Sequence, residues 1–516
     1  MILLEQNAPP RKLCLADLAL VALAVLVAVG IASPFLAYTV DDSFITFRYG
    51  QHLSTGLGPV FNVGERVEGY TSFLWMLLMA ASLALRLDPI IVSKVLGVIS
   101  TLAAGGMLLW SAHAVCHRPR RVGFIALFLL VANAEVAVSS VSGLESTFFM
   151  FLITASMTRT LWEEHRGGFP WSSLLFGVAA LTRPEGLVLF ALHLLFQVLI
   201  SRQRPVQILV RLGLFILVVL PHWLWRMAYY EQPLPATYYA KLSPVFYRLV
   251  VGGLYVLPFL LLFLVMILAT LRLRQHTPHY LVWMTLGGIA VAWWEGGDWM
   301  IGHRFLLPVV PAWSLLAAVT LSALYDRLSD GVGPGLWTPT RRNVAIALIA
   351  GAFLIMNAGQ AARFRHYTAV RAKGYDRAHL ALANWLDERY NTDTTVALMD
   401  VGMIGYYSDL RVVDITGLTD IIIAQSPGTI MDRLNDAAYV LDQEPAAIAL
   451  VGLDDDQIPD FPIDRRLYDD ERFQAAYELH HTLEHYRDAE LGTYLLLVFV
   501  RRTDFGALSQ PWTHSQ

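Results

Sequence analysis

Residues 15–48 read LADLALVALAVLVAVGIASPFLAYTVDDSFITFR, and the step from apolar to acidic inside this stretch decides the fold. From 17 to 35 the run carries only Asp17 as a charge, as a membrane-spanning helix requires, because lipid offers nothing to hydrogen-bond with a polar group. Six residues past its end the chain places two carboxylates side by side, Asp41 and Asp42. Similar runs recur at 90–112, 249–270 and 344–356. Composition agrees: 56% of the 516 residues are hydrophobic and 16% charged, with mean hydropathy +0.50. A soluble domain carries about 25% charged residues. The expected fold class is therefore a membrane all-α bundle.

Orientation follows from the basic connections at 117–121, 159–166, 202–204, 272–275 and 326–342. With all of them cytoplasmic, the positive-inside rule predicts about eleven spans. They fall near 15–38, 90–113, 122–139, 145–161, 171–183, 185–201, 207–226, 248–271, 279–296, 305–325 and 343–360. The segments 171–183 and 185–201 are short and predict a tight hairpin inside the bundle. Residues 71–87 are apolar enough to span, but a span there would put 117–121 outside. They are expected as an interfacial or re-entrant helix within the first external loop, 39–89. Arg11 and Lys12 precede the first apolar run with no small-residue cleavage site, so the run reads as a retained span entered from the cytoplasm. The odd count puts the C-terminus outside.

After about 361 the composition turns acidic and no spanning run remains. Residues 361–516 are expected as a small extracytoplasmic α/β domain beyond a membrane domain at 1–360. AHLALANWLDERY reads as an amphipathic helix, and TTVALMD, LRVVDI, AAIALVGL and TYLLLVFVRR read as strands. Cys14 and Cys116 lie near membrane edges without metal spacing or a disulfide framework. The net charge of −4 excludes nucleic acid as an obvious partner, and no glycine-rich phosphate loop lies between a strand and a helix.

With this topology the ionisable residues collect at the outer ends of the spans. The first loop offers Asp41 and Asp42, and the next turn Glu145. The short hairpin turns at Arg183 and Glu185. Later loops bring Arg226, Tyr238 and Lys241, then Glu295, Asp298, His303 and Arg304. Charges at membrane depth are costly and usually face a cavity. Arg183, Lys241 and Arg304 suit a phosphate clamp, and a neighbouring carboxylate suits proton abstraction from an attacking hydroxyl. Plain alternatives stand beside each residue. Asp41 or Asp42 caps a helix beginning at Ser43, Glu145 caps its span, Arg183 snorkels at a break, Arg226 and Lys241 are interfacial cations, and the Trp and Tyr residues form an aromatic belt. The carboxylates also allow a divalent cation, although no ligand spacing fixes one and no cofactor is expected.

The strings DDSFITFRYGQHLSTGLGPVFNVGERVEGYTSFLW (41–75), GLEST (143–147), LTRPEG (181–186), LPATYYAK (234–241), GGDWMIGHRFLLP (296–308) and DITGLTD (414–420) resemble, in this order, the terminal β-(1→2) arabinofuranosyltransferase family. That family belongs to the GT-C superfamily of polytopic glycosyltransferases. The resemblance implies a sugar, arabinofuranose first, taken from a polyprenyl-phosphate donor at the outer face of the bacterial plasma membrane and given to a cell-envelope glycan. It implies a catalytic base at Asp41 or Asp42 and donor-phosphate contacts at Arg183, Lys241 and Arg304. Substrate contacts are expected from Glu145, Glu185, Arg226, Tyr238, Asp298 and His303, with the C-terminal domain holding the acceptor. The alternatives are a polyprenyl-phosphate hexose transferase, a flippase for lipid-linked sugars, or a glycan-binding scaffold. A flippase would favour inverted repeats, and no internal repeat is visible.

Overall fold

In the computed structural model the described residues are 14–114, 118–272, 279–329, 339–432 and 437–505. Arg11, Lys12 and Cys116 lie outside them.

The chain opens with α1 (Leu15–Ala32), closed by a single 3-10 turn at Ser33–Phe35 where Pro34 cannot continue the α-helix. The helix α2 (Asp41–Ser54) starts two residues before the expected beginning at Ser43, so both aspartates lie in its first turn and neither is its cap. It packs on α3 (Phe73–Ala84), whose 12 residues rise only about 18 Å, too little to cross a hydrocarbon core of about 30 Å. This is the short helix expected within 71–87.

The bundle continues with α4 (Pro89–Ala114), α5 (Arg120–Val131), α6 (Ala134–Ser140) and α7 (Ser146–Arg166). The expected span at 122–139 is broken, with α5 and α6 meeting at 61°. Asn133 sits in the break and caps α6, accepting the N–H of Glu135 at 2.9 Å. Next come α8 (Trp171–Thr182) and α9 (Glu185–Leu199), a tight pair hinged at Arg183–Pro184 as the short segments predict. The remaining helices are α10 (Pro205–Tyr230), α11 (Ala236–Ala240), α12 (Val245–Arg272), α13 (His279–Glu295) and α14 (Val310–Ser329). Among the described residues five helices are long and apolar enough to cross a membrane, or six if the bent pair counts as one. The protein is an integral membrane protein.

One helix, α15 (Pro339–Gly374), runs without a break through position 360, and a single π-helical stretch at Tyr375–Leu380 joins it to α16 (Ala381–Arg389). The expected amphipathic helix is thus present. Beyond it lie β1 (Thr395–Leu398), α17 (Gly402–Ser408), β2 (Arg411–Asp414), β3 (Ala447–Gly452), β4 (Tyr477–Asp488) and β5 (Gly492–Arg501). They form one sheet in the order β2-β1-β3-β5-β4, parallel from β2 to β3 and antiparallel from there on. Four strands match the sequence reading. The fifth, β4, is an edge strand whose polar run YELHHTLEHYRD hides it from a hydrophobic-alternation test, and it carries two register shifts against β5.

The first loop does not stand apart from this sheet. Ile45, Tyr49, Phe61, Tyr70 and Met76 share one apolar cluster with Leu398, Ile404, Val412 and Val498. The site described next sits where the helix bundle, the first loop and the sheet domain meet.

Candidate functional site

The two aspartates at the start of α2 face different surroundings, because successive helical residues are turned about 100° apart. Asp41 is buried and its carboxylate accepts the backbone N–H groups of Gly402 at 2.9 Å and Met403 at 2.7 Å, at the start of α17. Burial pushes its pKa up to about 6, against the pull of His379 and with the added repulsion of Asp400. Asp400 is itself held by His379 and by the Tyr494 hydroxyl, each at 2.8 Å. Asp42 keeps a side chain 22% exposed, and its one ion-pair contact among the described residues is the Lys241 ammonium at 4.0 Å.

Two further links fasten the first loop to the sheet domain. Arg48 is buried and spends its guanidinium on backbone carbonyls: Phe61 at 2.7 Å, Leu410 at 2.6 Å, and Gly405. Asn62 pairs both ways with the main chain of Val412, donating at 2.8 Å and accepting at 2.9 Å. The segment DITGLTD is a folded loop around Asp414, whose carboxylate takes the N–H groups of Thr416, Gly417 and Thr419 and the hydroxyls of Thr416 and Thr419. Its Gly417 has φ +78°, and Thr419 lies against Gly69 of the first loop.

The bundle supplies the cations. Arg183 leaves α8 at the break that Pro184 imposes, and its guanidinium binds Glu145 at 2.7 Å and Glu185 at 3.0 and 2.5 Å. Glu145 makes no capping hydrogen bond, so its partner is Arg183 and not its own helix. Arg304 pairs with Asp298 and lies within electrostatic reach of Arg183, Asp42 and Glu145. Arg183 and Arg304 line one small cleft together with Glu185, Leu189, Val291, Phe305 and Pro308. Arg304 also borders a second cleft, lined by Tyr38, Ser139, Ser142, Ser146 and Met300. Asp42, Lys241, Arg304, Arg183, Glu145, Glu185 and Asp298 therefore form one constellation.

Other expected residues pair outside this set, with His303 still in electrostatic reach of Asp298. Arg226 is engaged by Glu68 at 2.7 Å, and Tyr238 is half-exposed on α11. His303, at φ +35°, binds Glu135 at 2.9 Å. Sequence reading missed both carboxylate partners. Glu68 was legible in principle, standing inside the long first-loop motif, whereas Glu135 follows a helix cap with nothing to mark it. Also missed were Gly402 and Met403, which act through backbone N–H groups and leave no side-chain signature. Among the described residues no group of three or more His, Cys, Asp or Glu side chains is placed to hold a metal ion.

Residues 365–499 match a family described as a domain of unknown function (DUF8728). Over 226 residues the chain is 29% identical to the terminal β-(1→2)-arabinofuranosyltransferase of Mycobacterium tuberculosis, covering 39% of this chain and 34% of that protein. The match thus spans about a third of the relative's length. Among solved structures, ArnT from Cupriavidus metallidurans bound to undecaprenyl phosphate aligns with a TM-score of 0.57 at 14% identity, covering 93% of this chain and 97% of that one. The oligosaccharyltransferase AglB from Archaeoglobus fulgidus, in complex with an inhibitory peptide and a dolichol-phosphate, aligns with a TM-score of 0.56 at 12% identity, covering 84% and 69%. The motif resemblance is thus matched over 226 residues of the arabinofuranosyltransferase, and the chain has the fold of the ArnT and AglB structures over most of its length.

Proposed function

We propose that the protein is a GT-C-type glycosyltransferase that moves a sugar, arabinofuranose first, from a polyprenyl-phosphate donor to a cell-envelope glycan. The observation that carries this reading is that Arg183 and Arg304 line one cleft, with Arg304 in electrostatic reach of Asp42 and Lys241 4.0 Å from Asp42. The donor phosphate is placed at the two arginines. The acceptor hydroxyl approaches beside Asp42, which takes its proton as the oxygen attacks the anomeric carbon. Polyprenyl phosphate departs carrying one more negative charge than the donor diester held. Cations fixed around that oxygen favour the transition state over the ground state. Asp42 is assigned the base because Asp41 already accepts two backbone N–H groups.

On this reading the eleven-span topology, the outward-facing C-terminal domain beyond about residue 360 and the plasma-membrane location are retained from the charge pattern of the connections. The basic mouth fits a hexose donor equally, since it recognises phosphate and not the sugar. The test is transfer of radiolabel by the purified protein in lipid, from polyprenyl-phosphate arabinofuranose and polyprenyl-phosphate mannose in parallel, with Asp42→Asn alongside. Label reaching a glycan acceptor from either donor, and not with the variant, supports the reading and names the sugar. Absence of transfer from both, with polyprenyl phosphate still bound, overturns it in favour of a carrier.

A further inference from the structure

Arg371, near the end of α15, is held differently from the other arginines around the site. Arg183, Arg226 and Arg304 each have a carboxylate partner, but Arg371 has none within ion-pair distance among the described residues. Its Nη1 donates to the Tyr367 hydroxyl at 3.1 Å and its Nη2 to the Tyr375 hydroxyl at 3.4 Å. Its Nε is buried without a hydrogen-bond partner. Five aromatic rings surround the guanidinium carbon at 5.4–6.0 Å: Trp299, Tyr367, Tyr375, Tyr486 and Tyr494. Ring faces favour a cation by about 0.5–2 kcal/mol, but they give its in-plane N–H groups no lone pair to bind. A partly buried guanidinium without a counter-charge is a place for an oxyanion.

Arg371 is itself part-exposed, and one wall of its cage lies at the surface. Trp299 is 55% exposed, on the turn that follows Gly296 and Gly297, and that turn also delivers Asp298 to Arg304. The cage also adjoins the proposed reaction centre. Tyr38 packs on Tyr367 and Tyr375, each with centroids 6.4 Å away, and it lines the cleft that Arg304 borders. Arg371 and Asp42 both lie within electrostatic reach of Tyr38.

We propose that Trp299 and Arg371 form a subsite for an anionic sugar unit of the acceptor. The sugar ring packs at the exposed rim of Trp299, and its carboxylate or phosphate oxygens accept from Arg371, with the Tyr38 side of the unit leading towards Asp42. This rests on the glycosyltransferase reading for the word acceptor, but the subsite itself is defined by charge and shape. It confers preference for an acidic glycan over a neutral one.

The test uses the full chain in discs of zwitterionic lipid, without donor. Affinities are measured by titration calorimetry for methyl glucuronide, methyl glucoside 6-phosphate and, as the neutral control, methyl glucoside. The charged ligands are expected to bind at least ten-fold more tightly than the neutral one. Arg371→Met should abolish that preference, Arg371→Lys should restore part of it, and Trp299→Ala, at an exposed position, should weaken all three. Binding of undecaprenyl phosphate is measured on every variant and should be unchanged, which separates loss of the subsite from misfolding. Equal affinity for charged and neutral sugars, or indifference to Arg371→Met, overturns the subsite. So does displacement of the charged sugars by anionic lipid doped into the disc, since that assigns Arg371 to the membrane surface. Saccharide binding that survives while no polyprenyl phosphate binds and no sugar is transferred overturns the glycosyltransferase reading and leaves the subsite standing.

Discussion

The carboxylate of Asp41 accepts the backbone N–H of Met403 at 2.7 Å, joining two residues 362 positions apart. This contact gives neighbouring aspartates opposite tasks. Asp41 faces the sheet domain and accepts one backbone N–H on each oxygen, while Asp42 faces Lys241 and the bundle mouth. The separation follows from the turn of about 100° between successive helical residues, which aims the two side chains at different partners.

The Asn variants of the pair should therefore behave differently. Asp42→Asn is expected to lower transfer by about 10²–10⁴-fold with no change in melting temperature, because it removes a base and little packing. Asp41→Asn turns an amide NH₂ towards one of two N–H donors. Leaving that group unsatisfied costs about 1–3 kcal/mol, so the melting temperature falls and activity is only partly lost. Steady-state transfer and thermal unfolding measured on both variants decide the matter, and the opposite pattern makes Asp41 the base.

Gly402 is required for the clamp. A Cβ there would run into the backbone carbonyl and the carboxylate of Asp41. Gly402→Ala is expected to destabilise the junction by about 1–3 kcal/mol, as an overpacked site does. Amide exchange should accelerate in 41–54 and 402–408 but not in the bundle helices. Exchange that is unchanged at Asp41–Ser54 means the two starts are not mechanically joined.

The clamp also sets a pH dependence. Burial raises Asp41 from an ordinary value of 3.8 to about 6, and Asp414 to about 6 as well. The folded state then keeps protons that the unfolded chain releases, so the contribution is fully present below about pH 4 and is lost as pH rises through 6. For Asp41 a displacement of this size corresponds to something on the order of 2–3 kcal/mol. The melting temperature is expected to fall from pH 4 to pH 7, and Asp41→Asn should flatten that slope. A slope identical in the variant would assign the dependence to Asp414 and other groups.

Much of this was legible in the chain. Apolar runs placed the helices, Pro184 placed the α8–α9 hinge, and the β-branched runs placed four strands. The charged residues at helix ends did converge around Asp42, Arg183 and Arg304. What stayed hidden were contacts made by atoms without identity in the sequence. The N–H groups of Gly402 and Met403 are common to nearly every residue, and the carbonyls that bind Arg48 are equally anonymous. The polar face of β4 concealed a strand whose Tyr486 reaches Arg371. Pairing was hidden for a different reason: Arg226 and His303 look free in sequence because Glu68 and Glu135 lie 158 and 168 positions away.

The cations at the mouth should also divide, by burial. Arg183 has a side chain 11% exposed and balances Glu145 and Glu185, so Arg183→Ala leaves two carboxylates without a counter-charge. Breaking a buried pair in this way costs about 3–5 kcal/mol, and the variant should insert poorly or melt early whatever its catalytic role. Arg183→Lys keeps the charge but loses the bidentate fork, so it should fold and bind polyprenyl phosphate more weakly. Lys241 is 47% exposed with one contact at 4.0 Å, a pair of the kind worth about 0–1 kcal/mol. Lys241→Ala should leave the melting temperature unchanged, raise KM for the lipid donor and steepen its dependence on salt less than the wild type does. Measuring KM at low and high ionic strength for Lys241→Ala separates the readings. If KM matches the wild type at both, Lys241 is an interfacial cation, and the donor phosphate is held by Arg183 and Arg304 alone.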